Sequence, residues 1–476
     1  MGVFLHACNV PETVLELLAH IGLSISTTSV TNAAMNLSKE SSREIQNVGR
    51  SLLAIYAYDN LDVDLKHLVA TAEDPLNTLV HLTTGLLMPL QHGITLNDLD
   101  CSDYLWKRYH NNLNVQPHDI PNISFHSLHD IHPEAPSATG LNRRKRFNAW
   151  KYLFDLIEFG PSYFRKFKSD LKDPEVVDPI PLIKTSQTPL RALDISPNSA
   201  GNNANALDLF FQQTGVGDPG VTPGVRNPQN HVILLSGDLL TIEHLRTLRA
   251  TRAEESSSWG RIQYMIPVMG LFHLKMACAD GIWRIFINNK AKQRDSNDLM
   301  AHISQIRPKE TRKMETKPGF RRMHEVIQHI GIVSRLEVWR IAVKERFGGV
   351  TTLEDFAKME PAWEVLQKMA IQIAKRNPTP SGFSRMRTQD SKERDKQLEN
   401  MILREEYFLL YEEISHGLNH GDIGRVESCF MPWIYIFAGC GKHKYAAEMR
   451  RYLEDVHFLY PEGLRCVSTS RSVSLN

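Results

Sequence analysis

Cysteine is scarce in this chain. There are six in 476 residues (Cys8, Cys101, Cys278, Cys429, Cys440 and Cys466), and no two form a CxxC pair. That excludes a disulfide scaffold and a zinc ribbon, and it suits a reducing, intracellular compartment. No apolar run approaches the roughly 20 residues of a membrane span. The N-terminus lacks a basic segment followed by a long apolar core, so no secretory leader is expected. Neither sign of charge is in excess: 55 Lys and Arg stand against 54 Asp and Glu, for a net charge of +1. Any nucleic-acid binding must therefore rest on local patches rather than on a global field. The chain has no Walker loop, GxGxxG, GxSxG or HExxH, and no internal repeat. These absences count against P-loop sites, standard dinucleotide folds, lipase-like hydrolases and zincins.

What is present is ordinary globular composition, 42% hydrophobic and 23% charged, with length for two or three domains or one domain carrying large insertions. The most informative stretch is NHVILLSGDLLTIEHL, at 230–245, followed by IPVMGLFHLKMACADGIWRIFI, at 266–287. Each is an apolar, strand-like run that leads into helical spacing. The first run ends on Gly237 and Asp238; the second leads into a helix carrying His273 and Asp280. A second strand-end aspartate, Asp59, lies in AIYAYDNLDVD at 54–64. An acidic residue where a buried strand ends is held on rigid backbone. Two of them in one sheet suggest metal-dependent phosphoryl chemistry.

Residues 11–22 and 24–38 read as two helices around a Gly turn, with helix-turn-helix spacing. Residues 27–36 carry no Arg or Lys to reach base edges, which favours a plain packing unit. Strands follow at 51–64, 77–90, 189–197 (with Asp194), 230–238 and 262–270, with a helix at 202–215. Residues 92–188 form an irregular insertion, and the chain is helical and charged from 291 to 435. The expected domains are a helical region at 1–50, a core at 51–290 with the insertion at 92–188, a helical insertion at 291–435, and a last core helix and polar tail at 436–476. This order matches ribonuclease H-like domains: an α/β fold with a mixed sheet flanked by helices and a large all-helical insertion. Its strands alternate with helices as such folds require.

Asp59 and Asp238 are the first candidates for metal ligands. Phosphodiester cleavage by two ions needs carboxylates that hold them roughly 3.5–4 Å apart. Mg²⁺, or Mn²⁺ in its place, prefers hard carboxylate oxygens. Both residues equally suit turn or helix-cap roles. Alternation puts Asp62 on the face opposite Asp59. Chain order makes Glu448, on the last helix, the first choice for a third ligand. Asp280, Glu412 and Glu413 are rivals, the helical glutamates otherwise belonging to a solvated face. His273 could position phosphate or water, or be a core histidine. His416 and His420 have zinc spacing but lack further ligands. Cys278 reads as a buried thiol. Basic stretches at 143–146 (Arg143, Arg144, Lys145, Arg146), 307–322 (with Arg321 and Arg322) and 384–396 could track a phosphate backbone. The first could equally be a nuclear localisation signal.

The phrases LAHIGLSIS, LSKESSR, YDNLDVDLK, HLTTGL, PLQHGIT, GDLLTIEHL, PVMGLFHLKMACADGIWRIF and HGDIGRV, spread over nearly the whole chain, resemble an uncharacterised fungal family, domain of unknown function 6589. The family is similar to transposon-derived proteins whose ribonuclease H-like core carries three acidic residues, with a helical insertion before the third. The resemblance therefore implies a Mg²⁺-dependent nuclease or strand-transferase acting on DNA, placed in the nucleus. Leu240 departs from the family's usual Gly, and a bulkier side chain at that turn crowds an approaching ligand. The family also continues into a further acidic helical segment where this chain has a Ser-rich tail. Both departures point to the alternative, a domesticated, non-catalytic nucleic-acid-binding or protein-interaction protein.

Overall fold

Ile55, Tyr56, Tyr58 and Val63 are β-branched or aromatic, and such side chains fit a pleated, half-buried surface. In the computed structural model this segment is strand β1 (Ala54–Asp64). The structure describes residues 1–8, 10–64, 79–287, 298–378, 383–390 and 392–469. The other strands are β2 (Leu79–Pro89), β3 (Thr188–Pro189), β4 (Ile233–Gly237) and β5 (Met265–Met269). The helices used below are α1 (Glu12–His20), α2 (Thr27–Arg50), α3 (Arg143–Phe159), α4 (Ala200–Thr214), α5 (Leu239–Thr251) and α6 (Leu271–Phe286). They continue with α7 (Gly319–Phe347), α8 (Trp363–Arg376), α9 (Lys396–His420), α10 (Ile423–Gly439), α11 (His443–Glu454) and α12 (Glu462–Thr469).

The chain divides into two compact units. The first comprises residues 1–121, 183–269 and 460–468. The second comprises 122–182, 270–459 and 469 onward. This division differs from the expected scheme: most of the irregular insertion, from residue 122, groups with the helical region. So does α6, which follows directly on β5. The expected boundary at 290/291, the first residues of the 77–90 strand and the tail at 470–476 lie outside the described residues.

Among the described residues, the first unit holds a five-stranded mixed sheet in the order β3-β2-β1-β4-β5. β1 and β2 pair antiparallel along their full length, from Ala54 opposite Pro89 to Asp64 opposite Leu79. β3 adds antiparallel to β2, while β4 runs parallel to β1 and β5 parallel to β4. Tyr56 and Tyr58 point to the face covered by α4. Their hydroxyls donate to Thr214 Oγ1 (2.9 Å) and Asn203 Oδ1 (3.0 Å), so both buried phenols are satisfied. Leu207, Phe210 and Phe211 of α4 pack with Leu87, Ile233, Leu235 and Met265 in the same core. Each such side chain contributes about 1.5–3 kcal/mol when fully buried. Gly85 lets α4 approach β2, because a Cβ there would lie 2.8 Å from the Phe210 ring.

Two expectations change. The strand at 189–197 shrinks to Thr188–Pro189 plus one bridge from Thr83 to Leu193, and Asp194 is not on a strand. Pro189 and Pro197 cannot donate to a ladder, which keeps this segment at a sheet edge. The second N-terminal helix does not stop at 38 but runs to Arg50 as α2, because Lys39, Glu40, Arg43, Glu44 and Gln46 are good helix formers.

The second unit, among its described residues, is helical. Tyr152 and Leu156 of α3, Trp339 and Val343 of α7, and Leu366 and Met369 of α8 share one core with Leu409 of α9. A buried ionic cluster pins three of these helices. Arg335 of α7 reaches Asp155 of α3 and lies 3.4 Å from Glu412 of α9. Lys151 Nζ sits 3.1 Å from Asp155 and 3.6 Å from Glu412. Two cations thus meet two carboxylates, the balance that burial of charge demands. Burial alone would lower the Arg335 pKa, but Asp155 and Glu412 outweigh it and hold it above the usual value.

Candidate functional site

The parallel register between β1 and β4 aligns Tyr56 with Leu235 and Ala57 with Ser236. The pairing stops there: β4 ends at Gly237 and Asp238 lies just past it, so only a continuation of this register by two residues would bring Asp59 level with Asp238. Alternation along β1 places Asp59 on the face of Ala57. β4 ends at Gly237, while β1 continues as a hairpin with β2, so Asp59 is beside the point where the neighbouring strand turns into a helix. Asp59 is exposed and Asp238 half-buried. Asp59 Oδ1 accepts from the amide of Asn60 at 2.8 Å. Asp238 is the N-cap of α5, its Oδ1 accepting from the Thr241 amide at 2.7 Å. Burial pushes the Tyr58 phenol well above its ordinary pKa, and the charge of Asp238 adds to that. Asp62 pairs with His81, its cross-strand partner on β2, at 2.7 Å.

The other expected site residues belong to the second unit. Glu448, on α11, is buried and lies 3.6 Å from Arg451. His273 is in the first turn of α6. The rival carboxylates are engaged in internal ion pairs. Asp280 lies 2.8 Å from both Arg284 and Lys442. Glu412 belongs to the Arg335 cluster, and Glu413 lies 3.0 Å from Arg144 and 3.1 Å from Arg425. Glu412 and Glu413 are therefore not on a solvated face. α9 is buried around most of its circumference there, with Leu409, Leu410, Tyr411 and Ile414 inside as well.

The basic run forms the first turn of α3, and each member has an internal partner. Arg143 donates to the carbonyls of His132 and Pro133, both at 3.0 Å. Arg144 bonds Glu413 and the Ser428 carbonyl, Lys145 bonds the Lys375 carbonyl, and Arg146 forks onto Glu175 at 2.6 and 2.7 Å. A phosphate reaching this turn competes with those partners. Arg321 is exposed and pairs with Glu325 at 2.9 Å, while Arg322 lies 3.4 Å from Glu310. His416 and His420 stack at 3.9 Å in the last turn of α9. Cys278 is buried, and burial pushes its thiol well above the usual pKa.

One cluster had no counterpart among the expected residues. Glu427 of α10 is buried, and its Oε2 lies 2.7 Å from His132 Nε2 and 2.8 Å from His457 Nε2. Tyr452 donates its hydroxyl to the other oxygen, Oε1, at 3.0 Å. Burial acts to raise the Glu427 pKa, but the hydrogen bonds from the two imidazoles prevail and hold it down at about 2. His132 follows the short helix Phe125–Asp130, and His457 sits in a π-helical turn, Asp455–Leu459. A cavity of about 360 Å³ adjoins the cluster, lined by His132, Glu427, Arg143, Arg144, Glu413 and Ser428 among others.

A family model described as "Family of unknown function (DUF6589)" matches residues 122–473. The chain belongs to this family. The match takes in Asp238, Glu448 and the His132–Glu427–His457 cluster, and begins after Asp59. No curated protein and no solved structure matches the chain. Among the described residues, no helix is long and apolar enough to cross a membrane.

Within the family match, HGDIGRV has a structural role. Gly421 ends α9 with φ +65°, the left-handed conformation glycine adopts without strain. Asp422 then caps α10 through the Arg425 amide (3.2 Å) and accepts from the amides of Val177 and Asp178. The Gly421 carbonyl accepts from the Ile180 amide at 2.8 Å. Arg425 closes the junction by pairing with Glu413 and bonding the Glu175 carbonyl.

Proposed function

We propose that the first unit carries a ribonuclease H-like core, and that the chain is a transposase-derived, Mg²⁺-dependent nuclease or strand-transferase acting on DNA. The observation that supports this reading is the parallel pairing of β1 with β4 (Tyr56 with Leu235, Ala57 with Ser236), which makes the strand carrying Asp59 the neighbour of the strand that Asp238 follows. A hairpin, a third antiparallel strand, and then two parallel strands reached through helices are the arrangement this reading expects. Two hard carboxylates side by side suit Mg²⁺ or Mn²⁺, whose charge offsets their mutual repulsion. Such an ion, when bound, polarises a phosphoryl oxygen and lowers the pKa of water.

The chain's own residues do the rest. Asp238 is fixed by its cap bond to Thr241, so its second oxygen has a defined direction. The N-terminus of α5 favours an anion such as a backbone phosphate. Glu448 remains the proposed third carboxylate, by chain order, with His273 as a proton-transfer or positioning group. Arg143, Arg144, Lys145, Arg146, Arg321 and Arg322 are the proposed phosphate contacts, and a nuclear location goes with this reading.

A non-catalytic nucleic-acid-binding role is favoured by one observation: capping α5 already accounts for Asp238. Nicking of supercoiled plasmid with Mn²⁺ or Mg²⁺ separates the two. The enzyme reading expects nicking that Asp59→Asn and Asp238→Asn each reduce by more than the roughly 10–100-fold that loss of a merely supporting partner costs. A wild type that binds DNA without nicking it would establish the non-catalytic role, and variants that nick as well as wild type would remove Asp59 and Asp238 from the chemistry.

A further inference from the structure

We propose that His132, His457 and Glu427 form a three-ligand site for a transition-metal ion of the zinc class, independent of Asp59 and Asp238. The three ligand atoms lie within 4.8 Å of one another. Two imidazole nitrogens and one carboxylate oxygen are the donor set that Zn²⁺, Co²⁺ and Ni²⁺ accept, and that hard Mg²⁺ does not prefer. Around a tetrahedral ion with bonds of about 2.0–2.1 Å, neighbouring ligand atoms stand about 3.3 Å apart. The two histidine nitrogens are 2.7 and 2.8 Å from Glu427 Oε2. Those two contacts would have to open by about half an ångström around an ion.

Three further features point the same way. Tyr452 holds the carboxylate from its other oxygen, the kind of supporting bond that orients a metal ligand. His457 sits on a single π-helical turn, a distortion that recurs at functional sites because it re-aims a side chain. The adjoining cavity is walled by His132 and Glu427, so a fourth ligand, water or an anion, enters from there. On the cavity wall Arg144 pairs with Glu413, and Arg143 lies 3.5 Å from Glu175. Three protein ligands with an open fourth position is the pattern of zinc sites that exchange a ligand.

The test uses the full chain, stripped with chelator and titrated with ZnCl₂ in competition with a chromophoric chelator. One equivalent bound at micromolar or tighter affinity is expected. His132→Gln and His457→Gln should each weaken binding at least about 100-fold, and Asp238→Asn should leave it unchanged. Co²⁺ should give the intense visible bands of four-coordinate cobalt, and these should disappear in both histidine variants. Glu427→Gln is a third variant, read only where circular dichroism shows it folded. The proposal is overturned if the wild type binds no Zn²⁺, if folded histidine variants bind as tightly as wild type, or if Asp238→Asn abolishes binding. Failure here leaves the Asp59 and Asp238 site untouched, because that site is read with Mg²⁺ and Mn²⁺ on different residues.

Discussion

Arg335 offers the sharpest test of how the helical unit holds together. Its side chain is 1% exposed, and its partners Asp155 and Glu412 are 0% and 9% exposed. Replacing it with Met keeps the apolar stem but leaves Asp155 and Glu412 to share Lys151, so the buried cluster moves from balance to one excess negative charge. Breaking such a pair from one side costs about 3–5 kcal/mol, because the orphaned carboxylate stays desolvated. The double variant Arg335→Met/Asp155→Asn removes both charges and leaves Lys151 with Glu412. It should be more stable than Arg335→Met alone by at least about 1 kcal/mol, a coupling within the range of direct contacts. Urea unfolding followed by far-UV circular dichroism measures wild type, the two single variants Arg335→Met and Asp155→Asn, and the double variant. A single variant within about 1 kcal/mol of wild type, or a double variant whose cost is the sum of the two singles, would refute the reasoning.

Asp238 has two separable roles. Asn caps a helix as well as Asp does, so Asp238→Asn should melt with the wild type, whereas Asp238→Ala should lose about 1 kcal/mol. Equal melting of the two variants would remove the cap. His416 packs against Phe147 and Trp150. Burial, then the charges of His420 and Arg425, depress its pKa to about 3. The unfolded chain, with a His pKa of about 6.5, takes up this proton first. Stability is thus complete above about pH 6.5 and declines as pH falls from there toward 3. Because the ring is partly exposed, the loss should be about 1–2 kcal/mol rather than the full shift. Denaturant titrations at pH 7 and pH 4 should show it in wild type and not in His416→Phe; an equal loss in both would remove His416 as its source.

The end of β4 could be read from the chain because an apolar run stopped by Gly-Asp is a local pattern, and β1, β4 and β5 formed where apolar runs stood; Asp59 is not at a strand end, because β1 runs on to Asp64 in its hairpin with β2. The pairing that makes β1, which carries Asp59, the neighbour of β4, which Asp238 follows, is not local. It joins strands separated by an antiparallel partner, a long insertion and a helix. The same holds for His132, which lies 295 residues before Glu427 in an irregular stretch without periodicity. Glu427 directly follows HGDIGRV, a stretch that stood out, but nothing adjacent to it marks a ligand. Buried glutamates were misplaced for a related reason. Periodicity tells which helix face is apolar, yet Glu412 and Glu413 are buried by cations on other helices, Arg335 and Arg425, whose proximity no spacing reveals. The basic run suggested a phosphate contact or a localisation signal because four cations in a row repel one another and favour a face open to solvent. In the fold, Glu175, Glu413 and carbonyl oxygens absorb them.

The central claim is that Asp59 and Asp238 together make one divalent-cation site. Calorimetric titration of Mn²⁺ into the wild type, Asp59→Asn and Asp238→Asn, with Asp62→Asn as the control from the opposite face, tests it directly. Binding lost in both site variants and kept in the control is the predicted result. Binding that survives either site substitution, or a wild type that takes up no Mn²⁺ with or without a DNA duplex present, would contradict the account.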